Sequence, residues 1–191
     1  MGMTLARLAP LGSDTLTRVE RFEQVVLPHL DAAYNLARWL TRNDHDAEDV
    51  VQEAYLRALQ FFDSFRGGGG RGWLLSIVRN TCYTWLRKNR AAEAAEPFDE
   101  DIHSAGQDTK SPEKAALENA DRRMLQTALE ELPVEFREVL VLRELEGLSY
   151  EEIAAVASIP AGTVMSRLAR ARQRLTQRLA GHLNKESQRG L

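Results

Sequence analysis

The sequence predicts an all-α protein with two small helical domains joined by a flexible acidic linker. Apolar residues recur at three- and four-residue steps in both halves of the chain, and no convincing alternating strand pattern occurs. Between the halves lies a stretch with few large apolar residues and two prolines, Pro97 and Pro112. We therefore predict an N-terminal helical bundle over residues 18–90, a linker over 91–120, and a C-terminal helix-turn-helix domain over 121–183.

Two helices are predicted at the start of the bundle. An apolar stripe with a proline inside it, Pro28, predicts one helix that is kinked or split there. The next segment opens with acidic residues, which suit a helix N-terminus, and then carries a second stripe. The first stripe consists of Phe22, Val26, Leu30, Ala33, Ala37 and Leu40. The second stripe consists of Val50, Ala54, Ala58 and Phe61.

A run of four glycines, Gly67–Gly70, separates these helices from the last helix of the bundle. Glycines in a row cost backbone entropy on folding, so the run indicates a loop that needs a bare backbone. A flexible connector is the alternative interpretation. The helix that follows carries its apolar face on Trp73, Ile77, Thr81 and Trp85, widened by Leu74, Val78 and Leu86.

The composition narrows the class of protein. With 43% hydrophobic and 28% charged residues, the 191-residue chain has the make-up of a soluble globular protein. No apolar run reaches the roughly 18 residues of a membrane span, and the N-terminus lacks a secretory signal pattern, so we expect a cytoplasmic protein with no membrane segment. The single cysteine, Cys82, and four scattered histidines predict no disulfide, metal or other cofactor.

The net charge of −3 hides an uneven distribution. Two segments, 66–90 and 163–178, contain arginines and no acidic residue, whereas residues 91–113 are strongly acidic. Basic stretches of this kind are typical of surfaces that bind nucleic acid, and one occurs in each predicted domain.

The C-terminal domain is predicted to begin with two helices, one that ends at Pro133 and one that ends near Gly147. The first carries an apolar stripe on its inner face, and "VEFREVLVLREL" forms the second. The stripe consists of Met124, Leu125, Ala128, Leu129 and Leu132.

A helix-turn-helix pattern follows. Ser149 and Glu152 form a capping box that starts a short helix at Tyr150, and Pro160 restarts the chain at the first position of a longer helix. Such a helix can enter the major groove of DNA, although a helical hairpin with a solvated basic face is the alternative. Its buried side consists of Val164, Leu168, Ala171 and Leu175, and its exposed side of Thr163, Ser166, Arg167, Arg170 and Arg174.

Three motifs occur in a fixed order: "DAEDVVQEAYLRAL", "FDSFRGGGGRGWLLSIVRNTCYTWLRKNR" and "LPVEFREVLVLRELEGLSYEEIAAVASIPAGTVMSRLARARQRL". Together they resemble the core-polymerase-binding helix, the promoter-melting segment and the upstream-element reader of extracytoplasmic-function (group IV) sigma factors of the sigma-70 family. The resemblance implies a non-enzymatic subunit that directs core RNA polymerase to promoter DNA. It also implies a stress or envelope response under the control of an anti-sigma factor.

The resemblance assigns residues to three surfaces. Phe65 and Asn80 match positions that line the pocket for a flipped base of the minus-ten element, with Arg66, Arg71, Arg79, Tyr83 and Arg87 as neighbours. The minus-thirty-five element is assigned to Arg143, Thr163, Met165, Ser166, Arg167 and Arg170. The docking site for the largest polymerase subunit is assigned to Asp49, Gln52 and Glu53.

Two other classes of protein fit the sequence less well. A stand-alone transcriptional regulator of the response-regulator type would need a receiver domain with alternating strands, and residues 18–90 show no such pattern. An enzyme would need a nucleophile motif, a metal-ligand spacing or a phosphate loop, and no Gly-Lys-Ser/Thr follows the glycine run.

Overall fold

The computed structural model describes the backbone of residues 17–93 and 112–189, and the side chains of residues 17–89 and 121–181. Every regular element in these ranges is helical, which confirms the predicted all-α class. The α-helices are α1 (Arg18–Val26), α2 (Leu30–Thr41), α3 (Asp44–Phe61), α4 (Gly70–Glu93), α5 (Pro112–Glu130), α6 (Val134–Leu140), α7 (Tyr150–Ala157) and α8 (Ala161–Arg189). We call α1–α4 the first module and α5–α8 the second module.

Local sequence signals set the boundaries of the first three helices. Thr17 and Glu20 form a capping box at the start of α1. Pro28 lies in a 3-10 turn between α1 and α2, so the predicted split at this proline is confirmed. The side chain of Asn43 caps α3 by accepting a hydrogen bond from the backbone N–H of Asp46, at 3.1 Å.

The core of the first module is formed mainly by the predicted apolar stripes, but the buried face of α4 also includes Leu75 and Cys82, while Trp73, Ile77 and Trp85 are only half-buried. The stripes of the earlier helices have two exceptions. Leu30 and Phe61 are exposed. Both residues lie beside 3-10 turns, and such a turn rotates the chain by a different angle per residue from an α-helix, which changes the phase of the stripe. Phe62, one residue later, is buried in place of Phe61.

Three of the four positions in the glycine run require glycine rather than a residue with a side chain. Gly67 and Gly68 have φ angles of 85° and 88°, in the left-handed region that favours glycine. At Gly70 the first turn of α4 lies against Val25, and a Cβ atom there would be 2.8 Å from the carbonyl oxygen of Val25. Gly69 meets neither condition. The loop therefore sets the entry of α4 into the bundle.

The second module follows the predicted order of helices. A π-helical turn (Val141–Leu145) extends α6 towards Gly147, which has a φ angle of 66°. Ser149 and Glu152 form the predicted capping box at the start of α7. Pro160 lies immediately before α8 rather than at its first position, and its carbonyl accepts hydrogen bonds from Thr163 and Val164.

The chain between the modules is helical at both edges. The segment predicted as a linker spans residues 91–120, but α4 continues to Glu93 and α5 begins at Pro112. Pro112 opens a helix here, at a position where a missing backbone N–H costs nothing. Residues 94–111, which carry much of the predicted acidic charge, lie outside the described residues.

The two modules pack against each other. Helix α4 of the first module contacts α7 of the second, and α2 contacts α6. These contacts place the basic face of α4 opposite acidic side chains of the second module. No helix in the described part of the chain is long and apolar enough to cross a membrane.

Candidate nucleic-acid interface

An aromatic cluster supports the loop in front of α4. The ring of Phe65 stacks on that of Phe62, with centroids 5.9 Å apart and an interplanar angle of 14°. It also lies 5.1 Å from the ring of Trp73. Phe65 is half-buried in this cluster, whereas the adjacent Arg66 is exposed. The loop therefore presents a packed aromatic ring beside an exposed cation.

The basic face of α4 carries five of the residues assigned to the minus-ten element, Arg71, Arg79, Asn80, Tyr83 and Arg87. The guanidinium of Arg79 lies over the ring of Tyr83, 4.3 Å from its centroid, and Arg79 also donates a hydrogen bond to the side chain of Asn80, at 3.2 Å. Asn80 and Arg87 are exposed. Residues 79, 83 and 87 are one turn apart, so the expectation of a shared face agrees with the observed stacking of the first two.

Two carboxylates from the second module contact this face. Glu138 accepts a hydrogen bond from Nε of Arg79, at 2.6 Å, and one from the hydroxyl of Tyr83, at 3.1 Å. Glu146 accepts one from Arg71. Burial raises the pKa of the Glu138 carboxyl, and the hydrogen bond from Arg79 acts in the opposite direction. In this conformation Arg71, Arg79 and Tyr83 are therefore occupied by side chains of the second module.

The N-terminal part of α8 presents the residues assigned to the minus-thirty-five element. Met165, Ser166 and Arg170 are exposed, and Thr163 and Arg167 are half-buried. The predicted inner side of this helix is correct: Val164, Leu168 and Ala171 are buried, and Leu175 is half-buried. The outer side is open to solvent at Met165, Ser166 and Arg170.

Arg143 is held within the second module. Its guanidinium donates a hydrogen bond to the carbonyl of Leu148, at 2.7 Å, and lies over the ring of Tyr150. The side chain thus braces the loop that leads into α7. A contact with DNA requires it to leave these partners or to use its remaining N–H groups.

The later arginines of α8 have partners inside the second module. Arg172 pairs with Glu144 and Arg178 with Glu131, each at 2.7 Å. The guanidinium of Arg174 lies 4.8 Å from the centroid of the Phe136 ring. These arginines therefore differ from Met165, Ser166 and Arg170, whose side chains point away from the module.

The three residues assigned to polymerase docking are exposed on α3. Glu53 accepts a hydrogen bond from Arg57, at 2.8 Å, four residues along the same helix. Leu56 lies among Asp49, Gln52 and Glu53 at helical spacing, and it is 65% exposed. Leu56 was not among the residues predicted for this surface. Its position outside the buried stripe of the helix is the signal that identifies it.

The sequence matches family models on both modules. Residues 25–92 match Sigma-70 region 2, and residues 122–175 match Sigma-70 region 4. The ECF RNA polymerase sigma-E factor of Haemophilus influenzae is 37% identical over 153 residues, which cover 75% of this chain and 79% of the relative. The chain belongs to the extracytoplasmic-function group of the sigma-70 family.

Other relatives agree with this assignment. The RNA polymerase sigma-H factor of Pseudomonas aeruginosa is 36% identical, with 83% of this sigma factor and 86% of the relative covered. The ECF RNA polymerase sigma factor SigE of Mycolicibacterium smegmatis is 37% identical over 87% of this chain, which spans 65% of the length of that relative.

Solved structures extend the similarity to the fold. The sigma factor RpoE of Bartonella quintana, in complex with the anti-sigma factor NepR, has a TM-score of 0.70 and 31% identity, with 84% of this chain and 97% of that chain covered. CnrH, in complex with the cytosolic domain of CnrY, has a TM-score of 0.59 and 29% identity, with 84% and 88% covered. In this sigma factor, region 2 lies in the first module and region 4 in the second.

Proposed function

We propose that this sigma factor directs core RNA polymerase to promoters with a minus-thirty-five and a minus-ten element, and that it helps to open the DNA at the second element. The observation that carries the proposal is the presence of one basic, helix-borne face on each of the two modules that match sigma regions 2 and 4. The protein acts in this way as a regulatory subunit in the cytoplasm and not as an enzyme.

The second module reads the minus-thirty-five element. A helix face with an exposed Arg170 and a half-buried Arg167 suits the major groove, where arginine binds guanine through two hydrogen bonds and also binds phosphate. Met165 adds an apolar, exposed side chain to the same turn, and such a side chain suits the methyl group of thymine. Thr163 and Ser166 supply hydroxyl groups beside it.

The first module traps the displaced strand at the minus-ten element. Unpairing and unstacking a base costs free energy, which a protein recovers by stacking and hydrogen-bonding the extruded base. Phe65 offers an aromatic edge and Asn80 an exposed amide for this purpose. Arg66, Arg71, Arg79 and Arg87 supply positive charge for the phosphates, and Tyr83 supplies a ring that can stack on a base.

Helix α3 docks on the polymerase. An exposed leucine surrounded by polar and acidic side chains has the composition of a small interface, with an apolar centre and a polar rim. Asp49, Gln52 and Glu53 form that rim around Leu56. The negative charge of Asp49 and Glu53 suits a basic surface on the largest subunit.

We also propose that an anti-sigma factor regulates this protein. The support comes from the similarity to RpoE and CnrH, which were solved with NepR and with CnrY respectively.

The proposed function is tested by reconstitution. The purified protein is mixed with sigma-free core polymerase and a genomic DNA library, and the 5′ ends of the transcripts are sequenced. We expect initiation sites that share two sequence elements at a fixed spacing. Transcripts that do not exceed those of core polymerase alone would overturn the proposal.

A further inference from the structure

One face of α1 contacts both ends of the loop in front of α4. The face consists of Arg18, Phe22 and Val25, whose spacing of four and three residues places them on successive turns of one side of the helix. The loop comprises residues 65–69, and we call it the minus-ten loop. The match to Sigma-70 region 2 begins at residue 25, so most of α1 lies outside that match. The role of this helix is therefore inferred from its contacts.

Arg18 and Phe22 hold the chain where it enters the minus-ten loop. Nε of Arg18 donates a hydrogen bond to the carboxylate of Asp63, at 2.9 Å, and Nη2 donates one to the carbonyl of Leu59, at 2.6 Å. The ring of Phe22 packs edge-on against that of Phe62, with centroids 5.3 Å apart. These contacts fix the 3-10 turn from which the loop departs.

The same helix holds the chain where it leaves the loop. Gly70 lies so close to Val25 that a Cβ atom there would be 2.8 Å from the carbonyl oxygen of Val25. Phe62 before the loop and Trp73 after it both contact the ring of Phe65, with centroids 5.9 and 5.1 Å away. Because α1 fixes the segments on both sides, it determines where the ring of Phe65 lies.

The position of Arg18 is unfavourable for α1 itself. Arg18 is the first residue of this helix, where the partial positive charge of the helix dipole disfavours a cation. The same charge is favourable at the last turn of α3, whose carbonyls carry partial negative charge and lack partners within the helix. The carbonyl of Leu59 belongs to that turn. Arg18 therefore stabilises the end of α3 and the turn that follows it, rather than its own helix.

We propose that α1 is a positioning element for promoter opening, in which Arg18 and Asp63 hold the minus-ten loop in the orientation that captures the displaced strand. The inference rests on the proposed function, because it requires that Phe65 and Arg66 contact promoter DNA. Arg18 and Asp63 act through the loop and do not bind DNA themselves. Their side chains are 45% and 77% exposed, and an exposed ion pair is commonly worth up to about a fivefold change in an equilibrium constant. The contact therefore tunes the loop and does not decide whether the module folds.

The test measures promoter opening by holoenzyme. The template is a promoter obtained from transcript mapping, with 2-aminopurine in its minus-ten element, and the fluorescence of this base rises when it unstacks. The variants Arg18→Ala and Asp63→Ala each remove one partner of the ion pair. The matched control is Arg21→Ala, which removes the same charge from an exposed position of the same helix.

We expect Arg18→Ala and Asp63→Ala each to lower the equilibrium constant for opening by about two- to fivefold, and Arg21→Ala to leave it unchanged. The double variant should be no worse than Arg18→Ala, because that change already removes both contacts of the guanidinium. Opening by Asp63→Ala separates positioning from charge. The loss of a negative charge near DNA would by itself favour opening, whereas the loss of positioning lowers it.

Three results would overturn the proposal. The first is normal or greater opening by the Asp63→Ala holoenzyme. The second is an equal defect in Arg18→Ala and Arg21→Ala, which would indicate an effect of charge alone. The third is an equal fall in the affinity of Arg18→Ala for core polymerase, measured by biolayer interferometry, since that would indicate damage to the whole module. Arg18→Lys, which keeps a cation opposite Asp63, should restore most of the opening.

The wild-type measurement separates this inference from the proposed function. Wild-type holoenzyme that opens the promoter normally, together with unaffected variants, would reject the positioning role and leave the function intact. Wild-type holoenzyme that neither opens nor transcribes any promoter would reject the proposed function itself.

Discussion

Gly70 lies so close to Val25 that a Cβ atom at this glycine would be 2.7 Å from Cγ1 and 2.8 Å from the carbonyl oxygen of Val25. The contact joins the first turn of α4 to the C-terminal end of α1. Because one of the neighbouring atoms belongs to the backbone, a side chain at Gly70 requires α4 itself to move. The glycine run thus determines how the helix that carries the minus-ten residues joins its bundle.

We expect Gly70→Ala to lower the free energy of unfolding by about 1–3 kcal/mol, the usual cost of overpacking. Chemical denaturation followed by circular dichroism measures this change. Gly69→Ala is the matched control, since a Cβ there meets no atom within 4 Å. Its stability should stay within about 1 kcal/mol of the wild type, because the lower entropy of the unfolded chain is offset by the poorer N-cap. Equal stabilities for the two variants would show that the approach to Val25 is not required.

The sequence predicts features whose partners lie close together in the chain. The capping box of Ser149 and Glu152 and the split at Pro28 are examples, because each depends on residues within one helical turn. The periodic stripe fails where a 3-10 turn changes its phase, and this is why Leu30 and Phe61 are exposed.

The types of residue in the candidate interface could be predicted from the sequence, but the contacts between these residues could not. The arginines of α4 follow from the charge pattern and the family resemblance, but the pair of Arg79 and Glu138 does not. These residues are 59 positions apart, and no periodicity links them. Leu56 was missed because the motif emphasised the polar positions around it.

Helix α8 should be required for promoter selectivity and not for polymerase binding. Arg167→Ala/Arg170→Ala removes side chains that we assign to the minus-thirty-five element, and each such contact is worth about 1–3 kcal/mol. We expect holoenzyme to lose about tenfold or more of its preference for a duplex with an intact over a scrambled minus-thirty-five element, as measured by competition binding.

The matched control for this experiment is Arg172→Ala, since Arg172 lies on the same helix and pairs with Glu144. Its holoenzyme should retain the preference. A double variant at Arg167 and Arg170 that still discriminates between the two duplexes would place the reader surface elsewhere.

Polymerase binding through α3 should depend on Leu56, the apolar centre of the proposed docking face. We expect Leu56→Ala to weaken binding to core polymerase by about tenfold. Truncating a side chain at the centre of an interface commonly costs more binding free energy than truncating one at its rim. Asp49→Ala/Glu53→Ala should also weaken it. Biolayer interferometry with immobilised core enzyme measures both changes.

Glu23→Ala is the control for charge, since Glu23 is exposed on α1 and lies outside this face. The Leu56 variant should also melt at the same temperature as the wild type, because the side chain is 65% exposed. Wild-type affinity in the Leu56 and the Asp49/Glu53 variants would contradict the assignment of α3.

Cys82 should be unreactive in the folded protein. The side chain is buried, and this burial raises the pKa of its thiol to about 12, so very little reactive thiolate forms at pH 8. We expect a disulfide reagent such as Ellman's reagent to label the native protein no faster than it unfolds, and to label it at once in guanidinium chloride. Immediate labelling of the native protein would show that the thiol is accessible.

Run-off transcription tests the central claim most directly. Sigma-free core polymerase and a promoter template are incubated with the wild-type protein, with the Asp49→Ala/Glu53→Ala variant, or with neither. We expect a strong discrete transcript with the wild-type protein, a much weaker one with the variant, and none when neither protein is added. A template that remains silent with the wild-type protein, across every promoter recovered from the library, would contradict the account.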